Sequence, residues 1–438
     1  MLLFIVKLEL PRGMRDLEQE ELYNINYIEE KFLETATLFN FKIMEPSPIE
    51  MLSTLETKSG TNISNEIYSF SDKGDRKVAL RFDLTIGLTR FVAARRDLKM
   101  PAKLATFAGV WRYDEPQAGR YRYFHQWDIE IYGSFSHESD AEVIEFVSVF
   151  LKKLGLKVSI EINDRQLMEE FVRHQLGIED EYKILEMFRA IDKVPKKGTN
   201  AVLEEYKDKI ECSTLQRLID LSTRNGTIAK VVESQGDLKE LTNLTKLAKL
   251  MDSLKARGVN NARVNLGIVR GLDYYSGLVF EAFDTSLEMG ALVGGGRYDR
   301  LTDAFGRRDI GATGAAGGVE RIVIALQKHG ILKSEPKPLV YVAYTSDDMG
   351  ERTLELVSNL RNSGVIADYD LQGRTLRKQL DDASTKGALI TVIVAPDEIK
   401  YGQVTVRLMK DGSESKRTIN DLAKTLNDLI LPLRQQQH

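Results

Sequence analysis

Residues 107–133 read FAGVWRYDEPQAGRYRYFHQWDIEIYG. Apolar runs around a centre holding proline and glycine predict strand, turn and strand. Side chains alternate along a strand, so on the returning strand Phe124, Gln126, Asp128 and Glu130 share one face, roughly 6–7 Å apart. Trp127, Ile129 and Ile131 share the other. One face is apolar and suits a core. The opposite face aligns an aromatic ring, an amide and two acids. An ordinary half-solvated strand shows the same alternation, but here Phe124 lies on the polar face beside Arg112, Arg120 and Arg122. A loop of that kind can present guanidiniums to phosphate oxygens in bidentate geometry.

The chain around this stretch has 438 residues, and 61 basic against 65 acidic side chains give a net charge of −4. At roughly 100–200 residues per domain, two to four domains are expected. The lone cysteine, Cys212, excludes an intramolecular disulfide framework and a thiolate metal cluster. His125, His137, His174, His329 and His438 lack metal-ligand spacing, so no metal site is assigned. The longest early apolar run, 2–6, is too short for a signal core or a membrane span, and a cytoplasmic protein without a membrane partner is expected. The near-neutral balance excludes a uniformly basic nucleic-acid binder but leaves room for a local basic groove.

Toward the N-terminus, 2–10 reads as a strand, Asp16 with Gln19 as a capping box, and Leu22, Ile25, Ile28, Phe32, Leu33 and Ala36 as a helix ending near Asn40. A short strand at 41–46 stops at Pro46. Strands are expected at 67–71, 78–85, 104–113 and 123–133, and helices at 86–95 and 141–154. From 164 to 258 helical spacing dominates and strand signals vanish, which reads as a helical insertion. Strands return at 262–268 and 278–283, Gly294 to Arg297 reads as a tight glycine turn, and a helix begins near Gly317. A linker at 329–337 precedes strands alternating with helices, an α/β domain over 338–438. Asp411 and Gly412 sit at the tip of its hairpin.

Three further clusters carry chemistry. On a strand through 78–85, Arg81, Asp83 and Thr85 would face one way, and carboxylates with a threonine near an amide could hold an ammonium group. The segment 270–277, RGLDYYSG, sets an acid and two tyrosines between glycines, with an arginine directly before the first. Arg321, at the start of the helix following GGVE, would lie near a positive helix N-terminus, which suits phosphate.

These segments together resemble the class II aminoacyl-tRNA synthetases in their histidyl form. GVWRYDEPQAGRYRYFHQWDIE is similar to motif 2, RGLDYYSG to the second histidine-specific signature, and GGGRYDRL with GGVERI to motif 3. The helix and strand ending at Pro46 resemble motif 1, and PRGMRD the family's opening segment. The resemblance implies an α+β catalytic domain on a six-stranded antiparallel class II sheet (1–163 and 259–328), a helical insertion domain (164–258) and a C-terminal α/β anticodon-binding domain (338–438). It also implies a homodimer.

Carried over residue by residue, the resemblance implies the following roles. Arg112 and Arg321 meet the α- and γ-phosphates of ATP, and Phe124 stacks on adenine. Asp114 and Arg120 belong to the same nucleotide loop. Asp83, Thr85 and Gln126 surround the histidine α-amino group. Glu130 and Tyr275, with Tyr274 adjacent, address the imidazole. Arg270 stands near the α-phosphate and the substrate carboxylate, catalytic together with Arg112. Glu115 occupies a position where bacterial relatives carry an arginine, which leaves Gln117 and Arg120 as candidates for the tRNA acceptor end. The implied reaction is activation of L-histidine by ATP with Mg²⁺, then transfer to tRNA(His). The alternative reading is a catalytically silent synthetase-like regulatory or RNA-binding protein, such as the regulatory subunit of ATP phosphoribosyltransferase, which shares the catalytic fold but typically lacks the C-terminal domain.

Overall fold

The structure is a computed structural model, and it describes residues 8–59, 63, 66–113, 121–233, 241–269, 275–333 and 340–435. The chain divides into two compact units, Met1–Lys333 and Ser334–His438.

The first unit is built on one sheet of nine strands among the described residues. In chain order they are β1 (Lys42–Ile43), β2 (Ala102–Trp111), β3 (Tyr123–Tyr132), β4 (Val158–Asp164), β5 (Asn225–Gly226), β6 (Ala262–Asn265), β7 (Leu278–Asp284), β8 (Val293–Arg297) and β9 (Ala312–Gly318). Across the sheet they run β1-β2-β3-β9-β8-β7-β4-β6-β5. The six central strands, β2 through β4 in that order, are all antiparallel. β1 and β6 flank them in parallel pairings.

The apolar face of β3 explains why the sheet is covered on one side. Trp127 and Ile129 are fully buried there, and the Trp127 ring lies 5.7 Å from Phe32 and 5.1 Å from Phe150. Phe32 comes from helix Gln19–Leu38 and Phe150 from helix His137–Lys153. Each such side chain contributes about 1.5–3 kcal/mol by leaving water. The first helix buries Ile25, Ile28, Phe32 and Ala36, one stripe at helical spacing, and the chain leaves it through Asn40 at φ 57°. The second is capped by Ser136, whose hydroxyl accepts from the Glu138 N–H at 3.2 Å. Its first turn holds Glu138 and Asp140 and its last Lys152 and Lys153, which match the helix dipole.

Four local expectations need correction. Asp16 and Gln19 form no capping box: the helix starts at Gln19, and Glu18 at the N-cap makes no side-chain cap bond. Of 2–10, residues 8–10 are irregular and 2–7 lie outside the described residues. The strand at 78–85 ends at Leu80, and Thr85 opens helix Thr85–Ala94. There the Asp83 carboxylate accepts the Ile86 N–H at 3.1 Å and helps start the helix, while Arg81 turns back to the carbonyls of Gly109 (2.8 Å) and Pro46 (2.6 Å). Finally, Gly294 to Arg297 is no turn but part of β8, central in the sheet. A Cβ on Gly295 would stand 2.5 Å from both the Gly314 carbonyl oxygen and the Phe280 ring, so glycine here serves close strand packing.

Between 165 and 256 the described residues form helices Arg165–Leu176, Glu181–Lys197, Thr199–Tyr206, Cys212–Ser222, Ile228–Glu233 and Thr242–Ala256, interrupted by the two-residue β5. At the end of the first unit, Lys333 donates its N–H to Asn24 Oδ1 at 2.9 Å and accepts from Asn24 Nδ2 at 3.0 Å.

The second unit holds a five-stranded sheet among its described residues, in the order Ala367–Tyr369, Val340–Tyr344, Ile390–Val394, Gln403–Leu408, Glu414–Thr418. The first three are parallel, and the last two form the expected hairpin, with Gly412 at φ 72° in its loop. Ile390–Val394 is buried throughout, as its unbroken apolar run requires. No described helix in either unit is long and apolar enough to cross a membrane.

Candidate active site

The polar face of β3 opens onto two adjoining cavities. The larger, about 410 Å³, is lined by Arg112, Phe124, Glu281 and Arg321 among others. The smaller, about 140 Å³, is lined by Asp83, Thr85, Glu130, Tyr298 and Gly314 among others. Arg112, Gln126, Tyr275, Gly294 and Ala316 border both, so the two chambers meet at one wall.

Arg112 follows directly on β2. Its Nε donates to the Phe82 carbonyl at 2.9 Å, its Nη2 to Gln126 Oε1 at 3.1 Å, and its guanidinium lies 5.0 Å from the centre of the Phe124 ring. The Gln126 amide nitrogen in turn donates to Asp128 Oδ1 at 2.8 Å, and the Thr85 hydroxyl donates to Asp128 Oδ2 at 3.0 Å. Asp128 is fully buried. β3 thus presents Gln126, Asp128 and Glu130 in a row, while helix Thr85–Ala94 brings Thr85 across to the same row.

Glu130, 1% exposed, accepts a hydrogen bond from the Tyr298 hydroxyl. Opposite it on β9 stands Gly314, whose missing side chain makes the space: a Cβ would lie 1.5 Å from Glu130 Oε2. Tyr275 packs its ring against Gly296. Burial, and next the nearby Glu130 carboxylate, push its hydroxyl pKa well up, so the phenol stays a proton donor. Burial and Glu130 raise Tyr132 likewise, and its hydroxyl lies 3.0 Å from Thr89 Oγ1.

Arg321, on the wall of the larger chamber, lies in the first turn of helix Val319–Lys328 and donates to the Ala291 carbonyl at 2.7 Å. Its neighbour Glu320 is committed to structure: both carboxylate oxygens accept from the His125 N–H, at 2.9 and 3.0 Å. The larger chamber therefore offers an aromatic ring and two guanidiniums, a fit for a planar base and a polyanion. The smaller one offers carboxylates, a hydroxyl and a phenol, a fit for a small cationic or hydrogen-bonding molecule.

Asp83, Thr85, Arg112, Phe124, Gln126, Glu130, Tyr275 and Arg321 all line this pair of chambers. Asp114, Glu115, Gln117, Arg120, Arg270 and Tyr274 lie outside the described residues. Sequence reasoning gave no role to Tyr298, Glu281 or Gly314. Tyr298 stood in the quoted GGGRYDRL segment, but its approach to Glu130 depends on β8 being a strand. Among the described residues no group of three or more His, Cys, Asp or Glu side chains could hold a metal ion.

Comparison with known proteins agrees over nearly the whole chain. The family model described as histidyl-tRNA synthetase matches residues 13–322, and that described as anticodon binding domain matches 339–429. The chain is 33% identical to the histidine–tRNA ligase of Pyrococcus furiosus over 97% of its own length and 99% of the relative's. It is 33% identical to that of Thermoplasma volcanium, over 96% and 99%. Among solved structures it is similar to histidyl-tRNA synthetase from Nostoc sp. PCC 7120, at 25% identity and a TM-score of 0.82, covering 97% of this chain and 99% of that one.

Proposed function

The chain belongs to the histidyl-tRNA synthetase family and is a histidine–tRNA ligase, and from that premise we propose how its residues divide the work. The observation that carries the assignment is the shared wall. Arg112 and Gln126 border both chambers, so a carboxylate on a molecule in the smaller one meets a phosphate in the larger one there.

ATP takes the larger chamber, with adenine on Phe124, the α-phosphate at Arg112 and the γ-phosphate at Arg321. We assign Asp114 and Arg120, from the same motif, to ATP binding as well. Histidine takes the smaller chamber, its ammonium group toward Asp83, Thr85 and Gln126. A neutral imidazole has one donor and one acceptor. Glu130 accepts from its N–H, and Tyr275, held protonated, donates to the other nitrogen; we assign Tyr274 to histidine binding as well. The substrate carboxylate then attacks the α-phosphorus in line, and pyrophosphate leaves. Arg112 and Arg270 meet the charge that grows on the phosphate, and positioning by the two chambers supplies much of the rate. The terminal hydroxyl of tRNA(His) next attacks the aminoacyl carbonyl and releases AMP, with Gln117 and Arg120 toward the acceptor end.

Mg²⁺ fits as a companion of ATP rather than as a protein-held ion. Such an ion binds through one or two carboxylates plus substrate phosphates, and Glu281 is a carboxylate on the wall of the larger chamber. Once bound it neutralises phosphate charge. Residues 1–163 and 259–328 carry this chemistry, 164–258 and 338–438 grip tRNA, and 329–337 link them. We place the enzyme in the cytoplasm as a homodimer. Strands Ile49–Met51 and Ser69–Ser71 pair antiparallel on either side of Lys77–Leu80, and exposed Ile49, Met51 and Phe70 on this three-stranded sheet support a covered apolar face there.

Pyrophosphate exchange with each amino acid, with and without tRNA, tests the reading. Glu130→Gln should raise the histidine requirement and leave that for ATP within a few-fold. If ATP binding collapses while histidine binding holds, Glu130 serves the nucleotide and the imidazole assignment fails.

A further inference from the structure

Asp128 belongs to neither set of substrate contacts proposed above, yet it is the fully buried centre of the row on β3. Its two oxygens divide their work. Oδ1 accepts from the Gln126 amide at 2.8 Å and Oδ2 from the Thr85 hydroxyl at 3.0 Å. A carboxylate only accepts, so each neighbour must turn a donor toward it. A hydroxyl has one proton; once the Thr85 proton points at Asp128, the Thr85 lone pairs are what remain for the chamber. The amide is fixed from both ends. Asp128 demands its NH2 group, and Arg112, a pure donor at 3.1 Å, demands its oxygen.

We infer that Asp128 is a positioning residue that sets the hydrogen-bond polarity of the smaller chamber, turning Thr85 Oγ1 and Gln126 Oε1 into acceptors that select a substrate bearing an ammonium group. An ammonium carries three donors and no acceptor. It is matched by Thr85, Gln126 and the Asp83 carboxylate, all on the chamber wall. The buried negative charge of Asp128 adds to the preference for a cation at short range. Without it, Gln126 keeps only the constraint from Arg112, and the Thr85 hydroxyl is free to rotate its proton into the chamber and meet N–H with O–H. This inference rests on the placement of the histidine ammonium group near Thr85 and Gln126.

Asp128→Asn tests it with little change of shape. The asparagine amide adds two donors and leaves only one oxygen, so at least one of Thr85 and Gln126 loses its forced orientation. Two competitive inhibitors separate polarity from architecture in pyrophosphate exchange. Histidinol keeps the ammonium group, whereas imidazole-propionate lacks it and keeps the ring and carboxylate. In Asp128→Asn the inhibition constant of histidinol should rise about 10–100-fold, the scale for one mismatched buried polar group. That of imidazole-propionate, and the ATP requirement, should move by no more than a few-fold, which also shows that the variant is folded. Equal weakening of both inhibitors would make Asp128 a purely structural residue and overturn the inference, as would unchanged binding of both. Thr85→Val provides the separate check on the subsite itself. If Thr85→Val weakens histidinol and Asp128→Asn does not, the inference alone fails; if neither does, the ammonium placement fails with it.

Discussion

Replacing Gly314 by alanine should damage histidine recognition by adding a single methyl group. An ideal Cβ at this position would lie 1.5 Å from Glu130 Oε2, 2.4 Å from its carboxyl carbon and 2.5 Å from the Ile129 carbonyl oxygen. Two of these contacts can be relieved by swinging the Glu130 carboxylate away. The third is backbone, and relieving it means parting β9 from β3 at the Gly314–Glu130 pair. Overpacking of this kind costs about 1–3 kcal/mol. If the carboxylate moves, that strain appears as lost affinity for the imidazole, about 5–150-fold. If the strands part, it appears as a lower melting temperature. The larger chamber does not touch Gly314, so the ATP requirement should stay near that of the parent. Pyrophosphate exchange at varied histidine and varied ATP, beside a thermal melt, reads all three quantities. A fully stable variant with an unchanged histidine requirement would refute the placement of the imidazole against Glu130.

Two other perturbations have expected outcomes. A fragment ending at Lys333 should form histidyl-adenylate and charge tRNA poorly; the cut belongs after Lys333 because that residue exchanges two hydrogen bonds with Asn24, and full charging by the fragment would give 338–438 another task. Asp140 has its pKa raised from 3.8 to about 6, chiefly by burial and against the pull of Arg297, so protonation favours the folded state. Its contribution to stability is present below 3.8 and is lost as pH rises toward about 6, and urea titrations across that window should show this slope in the parent and not in Asp140→Asn.

The site was more legible in the sequence than its surroundings were. Period-two alternation over 123–132 separates Trp127, Ile129 and Ile131 from Gln126, Asp128 and Glu130, and burial of the first set in the aromatic core confirms it. Nothing local distinguishes 78–85, where the same alternation continues past Leu80. There a tertiary bond, Arg81 to the carbonyls of Gly109 and Pro46, ends the strand, and the Asp83 carboxylate starts a helix. Gly294 to Gly296 misled for a related reason. Three glycines usually mean a turn because they are free to bend, but glycine is also what a crowded sheet interior needs. Only the neighbours Phe280 and Gly314 decide between the two uses. Tyr298 was hidden by that same reading, since it reaches Glu130 only from the end of a strand.

These glycines also explain how an enzyme site can sit on the middle of a packed sheet. Alternation along β9 puts Ala315 and Gly317 on the core side, with Gly317 against Trp127, and leaves Gly314, Ala316 and Gly318 on the other. Along β8 the same rule gives Gly295 to the core side against Phe280, and Gly294 and Gly296 to the site side. The two central strands thus pave the site side with almost no side chains, while β3 beside them raises Gln126, Asp128 and Glu130 as a wall. Both chambers are bounded by Gly294 and Ala316, and a Cβ on Gly294 or Gly318 would meet nothing within 4 Å. Their volume is therefore made by small residues on a rigid floor, not by a gap between mobile parts. A rigid floor keeps the carboxylate row, the amide and Arg112 in fixed register through the strand pairing. That register is what in-line attack requires, because a displacement of about 1 Å can cost roughly 10²-fold in rate.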